Sequence, residues 1–122
     1  MSRGTIQHEF LHALGVYHEQ SRADRDDYII VNWDNIQEDK KDQFTKEGVV
    51  HDDIKYNVHS VMQYGANSFS KNGQATMVAR DGSTLYSDHE LTRQDILKLV
   101  YMYKDVNTKC QGTEQAIWFS LT

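Results

Sequence analysis

Cysteine is the first shortage in this chain of 122 residues: there is only one, Cys110. A lone thiol makes no internal disulfide, and an odd cysteine points to a partner elsewhere or to a free thiol. There is no C-x-x-C pair, no glycine-rich phosphate loop, no internal repeat and no low-complexity tract. No apolar run approaches the roughly 20 residues that span a bilayer. Nor does a charged-then-apolar leader follow Met1, so the expectation is a chain without an export signal of its own. Positive charge is scarce as well. Thirteen Lys and Arg against 18 Asp and Glu give a net charge of −5, which argues against nucleic acid or an anionic membrane as a partner. Hydrophobic residues make up 39% and the mean hydropathy is −0.71, lean for a chain that must build its own core. The length fits one domain or part of one.

Histidine is not scarce where it matters. His8-Glu9-Phe10-Leu11-His12-Ala13-Leu14-Gly15-Val16-Tyr17-His18 reads H-E-x-x-H-x-x-G-x-x-H. Positions four apart share one face of a helix, so His8 and His12 can aim two imidazoles at one point. A straight helix cannot bring position 18 to that point. Gly15 adopts the left-handed conformation that ends helices, letting the chain turn back and offer His18. Three histidines leave the fourth position of a tetrahedral zinc open, the arrangement of a catalytic site. Glu9 is placed to take a proton from a water attacking a carbonyl. At this chain's own residue frequencies the five fixed positions coincide by chance in about 4 of 100,000 shuffled sequences. The alternative is a histidine-rich helix whose rings are merely hydrogen-bonded, disfavoured by the geometry that the glycine and the third histidine add. His51, His59 and His89 have no partners at ligand spacing and read as surface or hydrogen-bonded residues. Ser60 beside His59 lacks the elbow motif of a serine nucleophile.

The motif resembles the metzincin metalloproteases, and Glu19 directly after the third histidine makes it similar to the astacin family in particular. Ser60-Val61-Met62-Gln63-Tyr64 resembles that family's Met-turn. Asp24-Arg25-Asp26-Asp27-Tyr28 and Phe69-Ser70-Lys71-Asn72-Gly73 resemble further astacin segments. The resemblance implies an α+β, zincin-like catalytic-domain fragment: an active-site helix, an irregular C-terminal subdomain with short strands, and a long C-terminal helix, without the N-terminal sheet. It covers 1–110 as a partial peptidase domain and leaves 111–122 as an unmatched tail. It implies one Zn2+ ion held by His8, His12 and His18, with Glu9 as general base. It further implies that Tyr64 hydrogen-bonds the oxyanion, that Met62 packs near the ligands, and that Gly15 and Glu19 serve structurally. Gln63 stands where many members carry histidine and reads as tuning. The implied substrates are peptides or proteins, the implied location is extracellular, and the oligomeric state is left open. The rival expectation is a truncated fragment that binds zinc but turns over weakly or not at all. The resemblance also implies that Cys110 pairs with a cysteine of the N-terminal subdomain, and that Glu19 meets the amino terminus freed by prosegment removal. In this chain Arg22 or Arg25 is expected to take that terminus's place, against the alternative of a solvated surface acid.

Along the chain, 4–15 is predicted as the zinc helix with Thr5 as its cap. Ile6, Phe10, Leu11, Ala13 and Leu14 surround its ligand face, so cover is expected on several sides. The residues 28–33, rich in β-branched and aromatic side chains, read as a strand. The stretch 34–47 carries eight charges and reads as solvated and partly helical, and 48–57 as irregular. Asn72-Gly73 predicts a two-residue hairpin turn within 68–79, and Asp81-Gly82 another turn. Thr92 is expected to cap a C-terminal helix whose stripe is Ile96, Leu97, Leu99, Val100 and Tyr103. The apolar run 116–121 reads as an aggregation-prone end.

Overall fold

The computed structural model describes residues 1–47, 53–87 and 90–104. Two helices and a small sheet are joined by short 3-10 turns. Helix α1 spans Arg3–Ala13, strand β1 Ile29–Val31, strand β2 Met77–Ala79 and helix α2 Arg93–Met102. The strands pair antiparallel with Ile29 opposite Ala79, Ile30 opposite Val78 and Val31 opposite Met77. Among the described residues no helix is long and apolar enough to cross a membrane.

The zinc helix starts earlier than expected. Ser2, not Thr5, is the cap: its Oγ accepts the Thr5 N–H at 3.1 Å, satisfying a donor that the first turn leaves without a partner. The other end follows the glycine argument. Gly15 sits at φ +89°, its N–H donates to the His12 carbonyl at 2.9 Å, and the Val16 N–H donates to Leu11 at 3.0 Å. These two bonds, with Leu11 and Val16 buried in one cluster, make a Schellman turn.

Two apolar clusters form the core. Leu11, Val16, Val61 and Met62 pack with Leu91, Leu99 and Met102, joining α1 to α2. Ile29, Ile36, Phe44, Tyr56, Met77, Ala79 and Leu85 form the second around the sheet. The charged stretch 34–47 is therefore less solvated than its composition suggests. It contains the 3-10 turns Trp33–Asn35 and Glu38–Phe44, and both Ile36 and Phe44 are fully buried.

The predicted hairpin at Asn72-Gly73 does not form. Gly73 has φ +77° and the Ser70 Oγ donates to the Gln74 carbonyl, so the chain does turn there. Yet β2 pairs with β1, and Ser70 bridges Ile36. Turn chemistry fixes a reversal, while the partner is chosen by the buried face of β2, where Met77 and Ala79 face the core and Val78 points outward. Helix α2 opens as predicted. Thr92 Oγ1 and the Asp95 carboxylate bond each other's backbone N–H in a reciprocal capping box. Cover on α1 is one-sided: Leu11 is buried, whereas Ile6 and Phe10 are 56% and 65% exposed. Cys110 and the run 111–122 lie outside the described residues, as do 48–52.

Candidate metal centre

The three predicted ligands converge. The Nε2 atoms of His8 and His12 are 3.0 Å apart, those of His12 and His18 are 3.0 Å apart, and those of His18 and His8 are 3.2 Å apart. Among the described residues this is the group of His, Cys, Asp or Glu side chains close enough to share an ion. Two of the rings have their tautomers fixed from behind. His8 Nδ1 donates to the Val61 carbonyl at 2.8 Å and His12 Nδ1 to the Val16 carbonyl at 2.9 Å. A carbonyl can only accept, so both Nδ1 atoms hold a proton, and in the neutral rings both Nε2 atoms turn lone pairs toward the centre. His18 is no source of a bridging proton at neutral pH. Burial first, then His12 and His8, push it down to about 4.

Lone pairs facing each other at this distance repel unless a cation lies among them. Four-coordinate zinc with bonds of 2.0–2.1 Å separates its donor atoms by about 3.3 Å, close to the triangle seen here. The donor set, the tautomers and the spacing all fit zinc, and the carbonyls behind two rings are the outer partners that ligand histidines usually have.

Around the triangle lie the other predicted residues. Glu9 is exposed on α1, and with His8, Val61, Gln63 and Tyr64 it lines a cavity of ≈270 Å³. The Tyr64 ring packs on His18 with centroids 4.3 Å apart. Burial, and then the negative charge of Glu9, raise the Tyr64 pKa above its usual value, so its hydroxyl keeps its proton. Met62 is fully buried beside Leu11, Val16 and Val61. Gln63 is buried too: its amide accepts from the Tyr56 hydroxyl at 2.5 Å and donates to the Tyr64 carbonyl at 2.9 Å.

The loop carrying Met62 is stitched to the ligand segment by backbone. Val61 O serves His8, Met62 O accepts the Glu19 N–H at 2.9 Å, and the Tyr64 N–H donates to Gln20 Oε1 at 3.2 Å. Glu19 is 1% exposed, which rules out the solvated acid. Arg22 meets it as expected, at 3.3 Å. Arg25 does not: its guanidinium goes to the Gln20 and Phe44 carbonyls and to Asp26. The principal cation on Glu19 is Lys98 of α2, joined to Oε2.

Sequence reasoning missed Lys98 and also Asp95, whose carboxylate accepts from Ser60 Oγ and the Val61 N–H. The available signal was a lysine set between Leu97 and Leu99 in an apolar stripe, which calls for a buried acid. His59 is exposed and takes no part in the triangle, while His51 and His89 lie outside the described residues.

Comparisons with known proteins agree with this geometry. A zinc metalloproteinase of Caenorhabditis elegans, nas-15, is 40% identical over 84% of this chain. Meprin A subunit beta of Mus musculus is 42% identical over 81%. The chain spans only 19% and 15% of those two proteins' lengths. Among solved structures, the hatching enzyme zinc-protease High choriolytic enzyme 1 of Oryzias latipes superposes with a TM-score of 0.77 at 34% identity. That superposition covers 83% of this chain and 52% of the other. The astacin peptidase family matches residues 1–104, and the chain belongs to it.

Proposed function

We propose that the chain carries the catalytic zinc centre of an astacin-type endopeptidase, with His8, His12 and His18 as the ligands of one ion. The observation that carries this reading is the triangle of Nε2 atoms 3.0–3.2 Å apart, two of them with Nδ1 protons committed to carbonyls. Zinc held there supplies Lewis acidity, polarising a scissile carbonyl and lowering the pKa of water toward about 7. Glu9 is the general base: it takes the proton of the attacking water and delivers it to the leaving amine. Tyr64 donates its hydroxyl to the oxyanion of the tetrahedral intermediate, a role consistent with a phenol that keeps its proton. Gly15 supports the site through the turn that brings His18 back, Met62 through packing, and Glu19 through the backbone bond to Met62. The substrates are peptides or proteins, and the family relationship favours action outside the cell.

The test is turnover of a generic protein substrate by the purified chain loaded with zinc, beside Glu9→Gln. A general base contributes about 10²–10⁴-fold, so the variant should lose at least 100-fold while still binding zinc. Equal background from both proteins, with zinc bound, would leave a second reading: a metal-binding fragment without turnover. The exposed Ile6 and Phe10 on α1 favour that outcome, since apolar side chains beside the site lack cover among the described residues.

A further inference from the structure

The triangle is held unevenly. His8 and His12 are each oriented by a carbonyl behind Nδ1. Among the described residues His18 Nδ1 makes no such hydrogen bond. Its ring is placed by the tilted Tyr64 ring, with centroids 4.3 Å apart, and by the backbone that continues into Glu19. Glu19 is anchored on three sides. Its N–H donates to Met62 O at 2.9 Å, its Oε1 accepts the Asn57 N–H at 2.8 Å, and its Oε2 takes the Lys98 ammonium. Both side chains of this ion pair are buried, at 1% and 6% exposure. Arg22 is a weaker partner, because its guanidinium is bound in a fork to Asp24 at 2.9 and 2.8 Å and reaches Glu19 only at 3.3 Å. Arg22, Lys98 and Glu19 are buried and Asp24 is partly so, and the four charges sum to zero. Without Lys98 the cluster holds one uncompensated carboxylate, next in sequence to a ligand, and such a charge is not kept buried in place.

Resting on the reading of the triangle as a zinc site, we propose that Lys98 is a positioning residue for the metal centre: its ammonium locks Glu19, and Glu19 sets the place of His18. The sign of the effect separates this from simple electrostatics. Coulomb's law alone has a buried cation repel zinc, so removing it should tighten binding. Loss of an orienting partner should instead weaken binding, typically 10–100-fold.

A cavity of ≈250 Å³ bounded by His18, Glu19, Arg22, Lys98 and Met102 adjoins the ion pair, which gives the test a second arm. Zinc affinity is measured by chelator competition on the full chain, for Lys98→Ala and Lys98→Arg, at matched folded fraction by circular dichroism. Lys98→Ala should bind zinc at least tenfold more weakly. Lys98→Arg should stay within threefold of the parent. Propylammonium, but not propanol, should restore affinity to Lys98→Ala by entering beside Glu19. If Lys98→Ala does not fold, the double variant Glu19→Gln/Lys98→Met leaves no unpaired charge and should show the same tenfold loss. Parent-like or tighter binding in the folded variant overturns the proposal and leaves the zinc reading intact. A parent chain that binds no zinc overturns both.

Discussion

Replacing Gly15 by alanine isolates the turn that returns His18 to the other two ligands. The residue sits at φ +89°, and a Cβ added there meets nothing nearer than Met102 Cε at 3.6 Å, an ordinary contact. The penalty is therefore torsional and not steric. A left-handed L-residue costs about 1–2 kcal/mol, and +89° lies well beyond the left-handed well near +57°, so the upper end applies. Alanine's smaller unfolded-state entropy offsets about 0.4–1 kcal/mol. The net loss is about 1–1.5 kcal/mol, or roughly 4–8 °C in Tm for a chain of this size. Zinc affinity should fall with it, because relaxing the turn moves the Val16 carbonyl away from His12 Nδ1. Gly15→Asn, a residue that tolerates this region better, should lose less than half as much. Thermal unfolding and chelator competition read both effects. If Gly15→Ala matches the parent in Tm and in zinc affinity, the positive φ is not what holds the ligand segment, and the account of the turn fails.

Three further outcomes are expected of the same site and its supports. Chelation of zinc should lower Tm, since zinc at 100 times its Kd stabilises the fold by about 2.7 kcal/mol; a Tm indifferent to chelator would contradict binding to the folded chain. In chelator-treated protein the Tyr64 hydroxyl should ionise above its usual value. Glu9→Gln, by removing a nearby anion, should lower that pKa part of the way back, because burial, the larger cause, remains. Phenolate absorbance, taken as the difference from Tyr64→Phe, reads the shift, and a rise in Glu9→Gln would refute the assignment. Asp95→Ala should destabilise by about 3 kcal/mol in denaturant unfolding, about 1 for the lost cap of α2 and about 2 for the donors of Ser60 and Val61 left without an acceptor. A loss under about 1 kcal/mol would mean that those donors find other partners.

What the sequence disclosed was local. The ligand triangle is written in spacings of four and six with one glycine between, and each of those intervals is decided by backbone geometry over a single turn. The α2 cap is equally local, since Thr92 and Asp95 are three residues apart. Errors arose where two local solutions were equivalent or where the partner was distant. Ser2 and Thr5 are both hydroxyl residues at the helix start, and only the path of the chain decides which Oγ meets which N–H. Asn72-Gly73 correctly marks a turn, but nothing in those residues says that β2 will pair with β1 and leave the nearer segment aside. Phe44 is hidden among charges, and its burial depends on a sheet built from residues on both sides of it.

The contacts that complete the site are of the distant kind. Lys98 reaches Glu19 across 79 positions, and Asp95 reaches Ser60 across 35. Asp95 and Lys98 are one turn apart on α2, so a single helix face holds both supports of the triangle. Through Asp95 it fixes Val61, whose carbonyl orients His8; through Lys98 it fixes Glu19, which adjoins His18. The 11-residue α1 is too short to be stable in water by itself, so the spacing that makes the motif recognisable does not hold its rings together. That order is borrowed from α2 and from the Met62 loop. The motif sets three imidazoles within one short segment, and the contacts that steady that segment come from the C-terminal helix.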